Sequence, residues 1–333
     1  MDKIYEIRQN LIEFYYKNEV YLAPVLKGLT MLLILLVMNA QIGYNTDITS
    51  WNIVLIAVLV AALLPWGAMT GFSALFLLLH LYSLSWEVAA VTAAMLFIAA
   101  IMQYIFLPRY GLAIVLVPVL FFLKIPYAVP LVVGLLGGIT AFIPCGVGAF
   151  LYYFIVGVQK NADIFMRTSG EGASTLERFP QIFSIIKDNK LMLISVIAFA
   201  VAALIVYSLK KLSTDYAPYI ALAAGTIIII AIYLIGGFTS DATVPYLEVF
   251  LGSVIGFIIA SLFSFIGVAM DYNHTEYLQY DDDEYSYYVR AVPKIRISTK
   301  TVKIQDITSD DIDEDEIKQA LDALSEFDSN ERT

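Results

Sequence analysis

Cysteine is nearly missing: Cys145 is the only one in 333 residues, so neither an intrachain disulfide nor a cysteine-based metal cluster can form. Histidine is almost as scarce, with two in the chain. No P-loop, G-x-S-x-G or H-E-x-x-H pattern occurs, which leaves the common catalytic chemistries without their residues. No glycine follows Gly267. The acidic run Asp310 to Glu316 therefore lacks the central glycine of an EF-hand loop, and weak, non-specific cation attraction is all it offers. Charge is the last scarcity. Only 15% of residues are Asp, Glu, Lys or Arg, against about 25% in soluble domains.

What fills the space is apolar: 59% hydrophobic residues and a mean hydropathy of +0.76. The chain carries 20 bases and 30 acids, but 7 of those bases and 17 of those acids lie from Asp271 onward. The preceding 270 residues are electrically balanced, so the formal charge of −10 belongs to the tail. This excludes a basic nucleic-acid surface and a soluble acidic enzyme.

A bilayer core of about 30 Å needs about 20 apolar helical residues. Ala23 to Ile42 is one such run. Ile53 to Leu84 carries no charge but is too long for one helix, and Pro65-Trp66-Gly67 predicts a tight turn in its middle. Val88 to Leu107 follows, then the short run Tyr110–Leu123 and the uncharged Tyr127–Val158, interrupted by Pro130, Gly134, Gly137, Gly138, Pro144, Gly146 and Gly148. After a polar stretch at 159–190 come Leu191–Leu209, Pro218–Ile235 and Pro245–Met270. The expected fold is an all-α polytopic transmembrane bundle of about ten spans, eight if one adjacent pair is re-entrant, with Pro/Gly-broken central helices. Residues 1–22 are expected to form an interfacial amphipathic helix, with Ile4, Ile7, Leu11 and Phe14 on one face. Residues 23–270 form the transmembrane domain and 271–333 an acidic tail.

Lys3, Arg8, Lys17 and Lys27 place the N-terminus in the cytosol, and an even number of crossings places the tail there too. The loop 159–190 objects, because it falls outside while carrying Lys160, Arg167, Arg178, Lys187 and Lys190. No carboxylate or histidine lies at the middle of a span, which argues against a proton- or sodium-coupled carrier. His80, Glu87, Asp241 and Glu248 fall at the predicted outer edge, where an interfacial role is the plain reading; Glu248 is also placed to cap an external vestibule.

Broken helices expose backbone groups that membrane transporters use as binding sites. Pro130, Gly134, Gly138, Pro144, Cys145, Gly146 and Gly148 are therefore the candidate substrate path, with the break centred on Pro144-Cys145-Gly146. The plainer alternative is that these small residues serve helix packing, Cys145 among them. Gly252, Gly256, Ala260 and Ser264 recur every fourth residue and form a packing stripe, toward another helix of the chain or toward a second copy. In the tail, Tyr287, Tyr288, Ile295 and Ile297 belong to a strand-like segment. Ile317, Leu321 and Leu324 line one face of a short helix capped at Ser309. They are the candidate docking residues for a cytosolic or envelope-associated protein, the alternative being a solvated disordered tail.

The string Lys124-Ile125-Pro126-Tyr127-Ala128-Val129-Pro130, the Pro144-Cys145-Gly146 break, Tyr152-Tyr153 and the segment from Asp281 to Lys294 together resemble uncharacterised multi-pass membrane proteins of low-GC Gram-positive bacteria with an acidic, Tyr-rich tail. The resemblance implies a bacterial cytoplasmic membrane location. It implies no catalytic residues, because that group carries no established activity. The expectation is a non-enzymatic membrane protein, without cofactor or metal, that recruits a partner through its tail. The alternative is a permease for an uncharged or amphiphilic solute, using residues 108–158.

Overall fold

The computed structural model describes residues 2–106, 110–167, 178–212, 214, 216–267, 276–281 and 286–291. The chain divides into a body, residues 7–270, and a second unit of residues 1–6 and 271–333. In the body every regular element among the described residues is helical. Helix α1 (Asp2–Lys17) leaves Ile7, Leu11 and Phe14 exposed, and the buried Arg8 sets its guanidinium 5.6 Å from the Phe265 ring. An apolar face open to the outside suits a helix lying at a membrane interface.

Helices α2 (Glu19–Gln41), α3 (Trp51–Leu63), α4 (Trp66–Leu84) and α5 (Trp86–Phe106) follow. The long uncharged run divides between α3 and α4 at Leu64-Pro65, both extended, because proline cannot donate into a continuing helix. Next come α6 (Leu112–Phe122), α7 (Ala128–Leu136), a 3-10 turn (Ile139–Ala141) and α8 (Phe142–Lys160). Two short helices, α9 (Ala162–Arg167) and α10 (Arg178–Lys187), lead to α11 (Lys190–Leu209), α12 (Ala217–Ser240) and α13 (Tyr246–Gly267). Asn189 caps α11, its side-chain oxygen accepting the Met192 N–H at 3.0 Å.

Among the described residues, six helices are long and apolar enough to cross a membrane: α2, α4, α8 with its preceding 3-10 turn, α11, α12 and α13. Shorter apolar stretches occupy α3, Trp86–Met102 of α5, and α6. The apolar side chains form two cores that meet at α8. Leu151, Phe154, Ile155 and Val158 of α8 face a core with α2–α6. Cys145, Ala149 and Tyr153 face a second core with α6, α7 and α11–α13.

The expected break at Pro144-Cys145-Gly146 is displaced. The chain leaves the helical region at Gly137 and Gly138, whose ψ values are −179° and −172°. Pro144 is the third residue of α8, where the N–H that proline lacks would have no intrahelical acceptor. Pro130 holds the same position in α7. Both prolines start helices instead of breaking them.

In the second unit, strands β1 (Glu276–Asp281) and β2 (Ser286–Ala291) pair antiparallel, Glu276 opposite Ala291 and Tyr280 opposite Tyr287. This hairpin departs from an all-α chain. The strand-like pattern at Tyr287–Ile307 overlaps β2 only at its start. Asp281, the first of the acidic run Asp281 to Glu284, is the last residue of β1. Ile295, Ile297, Ile317, Leu321 and Leu324 lie outside the described residues.

Candidate functional site

Helices α6 and α7 are short: 11 and 9 residues, about 16 and 14 Å at 1.5 Å per residue. Helix α11, against which α7 packs and on which α6 rests the Phe121 ring, has 20 residues and spans about 30 Å. At one end, the Tyr110 hydroxyl donates to the Leu136 carbonyl at 2.8 Å, so the start of α6 and the end of α7 share a level. The Lys210 ammonium, just past α11, donates to the carbonyls of Leu135 and Gly137, both at 2.6 Å. At the other end, Phe121 and Tyr127 lie 5.3 and 5.8 Å from the ring of Phe199, the tenth residue of α11. The pair is thus a helical hairpin whose turn stops near half the height of the long helices.

Above that turn the bundle is hollow. A cavity of about 930 Å³ opens where α6, α8 and α12 end and α7, α11 and α13 begin. Among the described residues its charged lining comprises Lys124, Lys160, Lys190, Asp188, Asp241 and Glu248, three of each sign. Aromatic residues Phe121, Tyr127, Tyr152, Tyr153 and Tyr233 line its inner part, and Phe165 contributes from α9.

The turn itself has a defined cause. Ile125 N–H donates to the Leu120 carbonyl (2.9 Å) and Lys124 N–H to the Phe121 carbonyl (3.0 Å), the pairing that ends a helix on a left-handed residue. Glycine usually occupies that residue; here it is Lys124, at φ 63°. Its ammonium reaches the Glu248 carboxylate on α13 at 2.7 Å. Asp241, at the end of α12, is the other non-glycine residue with positive φ among the described residues, and it lines the same cavity. Sparsely populated backbone conformations tend to cluster at ligand sites.

At the floor, the buried Tyr233 hydroxyl donates to Ser195 Oγ (2.7 Å). The single serine proton faces two acceptors, the Tyr153 hydroxyl (2.9 Å) and the Leu191 carbonyl (2.8 Å). Ser195 is fully buried and Tyr153 nearly so. Phe121 stacks between Tyr152 (4.3 Å) and Phe199 (5.3 Å), which fixes the aromatic wall.

The residues singled out from sequence lie elsewhere. Pro130, Gly134, Gly138, Pro144, Cys145, Gly146 and Gly148 are not in the cavity lining. Gly148 brings α8 onto α6: a Cβ there would sit 2.6 Å from that of Val117. Gly146 faces Val196 of α11, and Cys145 is buried in the second core. The backbone of Gly134 meets that of Ala203, while a Cβ on Gly138 would meet nothing within 4 Å. Gly252 and Gly256 of the small-residue stripe receive Tyr127 and Ala128, so its first half packs within the chain; Ala260 and Ser264 are buried.

His80 is also accounted for. The Asn45 backbone N–H donates to Nδ1 (3.3 Å), so Nε2 carries the proton and donates to Asn39 Oδ1 (2.9 Å), fastening the loop between α2 and α3. Glu87 accepts from Ser85 Oγ at the start of α5, where the helix dipole favours a carboxylate. Tyr287 and Tyr288 are in β2. No group of three or more metal-ligating side chains occurs among the described residues.

Sequence reasoning gave no site role to Tyr127, Tyr153, Ser195 or Tyr233; Tyr127 and Tyr153 entered only through the resemblance, and Ser195 and Tyr233 read as ordinary span residues. Their signal was Lys124, a lone charge between two uncharged runs. No family model matches the chain, and no curated protein or solved structure matches it either.

Proposed function

We propose that the chain is a permease of a bacterial cytoplasmic membrane, with α6–α7 as a re-entrant hairpin and eight crossings made by α2, α3, α4, α5, α8, α11, α12 and α13. Both termini are then cytosolic, and the cavity opens to the outside. One observation carries this reading: the non-helical turn at 123–127 lies at mid-height beside a 930 Å³ cavity. Irregular backbone at membrane depth is tolerated only where protein buries it or a water-filled cavity solvates it. A half-height hairpin under an aqueous vestibule divides the path into an open outer half and a plugged inner half, as alternating access requires. The site is thus the vestibule above the turn and not the glycines of α7 and α8.

The test is untargeted. Proteoliposomes holding the full chain are incubated with a small-molecule extract, and their contents are compared by mass spectrometry with empty vesicles. The wild type accumulates a defined solute, and Gly157→Trp, at the cavity wall, accumulates little. Equal contents in wild-type and empty vesicles refute the permease reading.

A second reading has its own observation. Two strands form the whole β1–β2 sheet, so each keeps an outer edge unpaired among the described residues. Such edges accept a partner's strand, which favours recruitment of a protein through residues 271–333. Deleting 271–333 then abolishes the cellular phenotype while uptake into vesicles persists; a phenotype indifferent to the deletion sinks this reading.

A further inference from the structure

We infer, resting on the permease reading, that the vestibule takes a zwitterionic solute with an apolar body. Among the described residues the charges around it are balanced, three lysines against three carboxylates, so a solute of one sign meets as many of these like charges as opposite ones. Two of the lysines are already engaged: Lys124 with Glu248 (2.7 Å) and Lys190 with the Ser240 carbonyl (2.7 Å). Lys160, Asp188 and Asp241 line the same cavity, are exposed to it, and show no ion pair or side-chain hydrogen bond, with each other or with any described residue.

Opposite charges that share a wet cavity without closing on one another leave one ammonium site and two carboxylate sites for a solute. Lys160, at the end of α8, suits a solute carboxylate; Asp188 and Asp241 suit its ammonium group. Below them the lining becomes aromatic, through Phe121, Tyr127 and Tyr152, and the hydroxyls of Tyr153 and Tyr233 are tied to Ser195. That floor offers contact area to an apolar or aromatic body and no net charge. The volume lies at the upper end of the roughly 300–1,000 Å³ of small-molecule sites, more than a single small amino acid fills.

Four probes separate the terms: the dipeptide Leu-Phe, its N-acetyl form, its C-terminal amide, and the doubly blocked form. Each is titrated by calorimetry against the full chain in nanodiscs. The zwitterion is expected to bind about tenfold tighter than either singly blocked form. In Lys160→Gln the amide draws level with it, and in Asp188→Asn/Asp241→Asn the N-acetyl form does. Asparagine tolerates the left-handed backbone at 241, so that variant keeps its fold. If the doubly blocked probe binds as tightly as the zwitterion, the inference is overturned and the site is one for uncharged amphiphiles, with the permease reading intact. If no probe binds while vesicles accumulate a solute, the zwitterion class is wrong for a working permease. If vesicles accumulate nothing, both readings fall.

Discussion

Replacing Lys124 by glycine removes two opposing terms at once, and the structure gives the size of each. A left-handed backbone costs an L-residue about 1–2 kcal/mol, which glycine does not incur. Against that, glycine gives the unfolded chain more freedom, worth about 0.4–1 kcal/mol. The ion pair to Glu248 is lost as well. Its side chains are 68% and 50% exposed, so solvent screening holds the pair to about 0–1 kcal/mol. Taken at mid-range, the three terms sum to within about 1 kcal/mol of zero. Lys124→Gln, by contrast, keeps the strain and loses the pair. Thermal unfolding of the purified protein in one detergent should therefore place Lys124→Gly within about 3 °C of wild type and at or above Lys124→Gln, at roughly 2–4 °C per kcal/mol. Solute uptake should fall in both variants, because both leave Glu248 unpaired at the vestibule mouth. A Lys124→Gly protein melting well below Lys124→Gln would refute the reasoning, since strain at the turn would then be contributing nothing.

Four further outcomes are expected. Gly148→Ala forces a methyl within 2.6 Å of Val117 and should destabilise by about 1–3 kcal/mol, whereas Gly138→Ala, with open space around it, should melt within a degree of wild type. Lys210→Met strips the ammonium from the carbonyls of Leu135 and Gly137 and should cost about 1.5–3 kcal/mol, seen as easier proteolysis near the end of α7. Burial, and then the neighbouring Lys211, hold the Lys210 ammonium below its ordinary 10.5. The unfolded chain keeps that proton longer, so this lysine's contribution makes stability rise with pH between its lowered pKa and 10.5; a denaturant series on Lys211→Gln should show a shallower rise. His80→Phe leaves Asn39 Oδ1 and the Asn45 N–H without the ring and should lower Tm by several degrees while uptake persists, as circular dichroism and the vesicle assay would report.

Much of the helical body was legible because its cause is local. Pro65 ends α3 through backbone chemistry that needs no tertiary partner, and the uncharged runs give α2, α11, α12 and α13 by length alone. The position of the central break was not. Proline marks either the end of one helix or the first turn of the next, and composition cannot choose between them; Pro144 and Pro130 proved to be first-turn residues. The vestibule was less legible still. Ser195 and Tyr233 are 38 residues apart, and only the packing of α11 on α12 brings them together. Lys124 was visible as an isolated charge, but its partner Glu248 is 124 residues away. Strand β1 was hidden because its tyrosines run straight into the acids Asp281 to Glu284, so no clean alternation stands out in the sequence.

On the permease reading, the α6–α7 hairpin and the cavity are one feature, and the physics of the bilayer binds them together. Residues 123–127 leave the helix at half the height of α11, so some of their peptide groups have no helical partner. In hydrocarbon each such group costs several kcal/mol, enough to expel the turn to the surface or to pull α6 and α7 into longer helices. Two backbone bonds of the left-handed cap meet part of that demand, and on the permease reading cavity water is required to meet the rest. Filling the cavity should therefore destabilise the turn, and straightening the turn should close the cavity. That coupling is what a transport cycle needs. A solute that displaces the cavity water removes solvation from the turn, and only a solute with polar groups of its own near Lys124 can restore it. The charged rim and the half-height turn thus select for the same polar end of a solute, while the aromatic floor takes its apolar body.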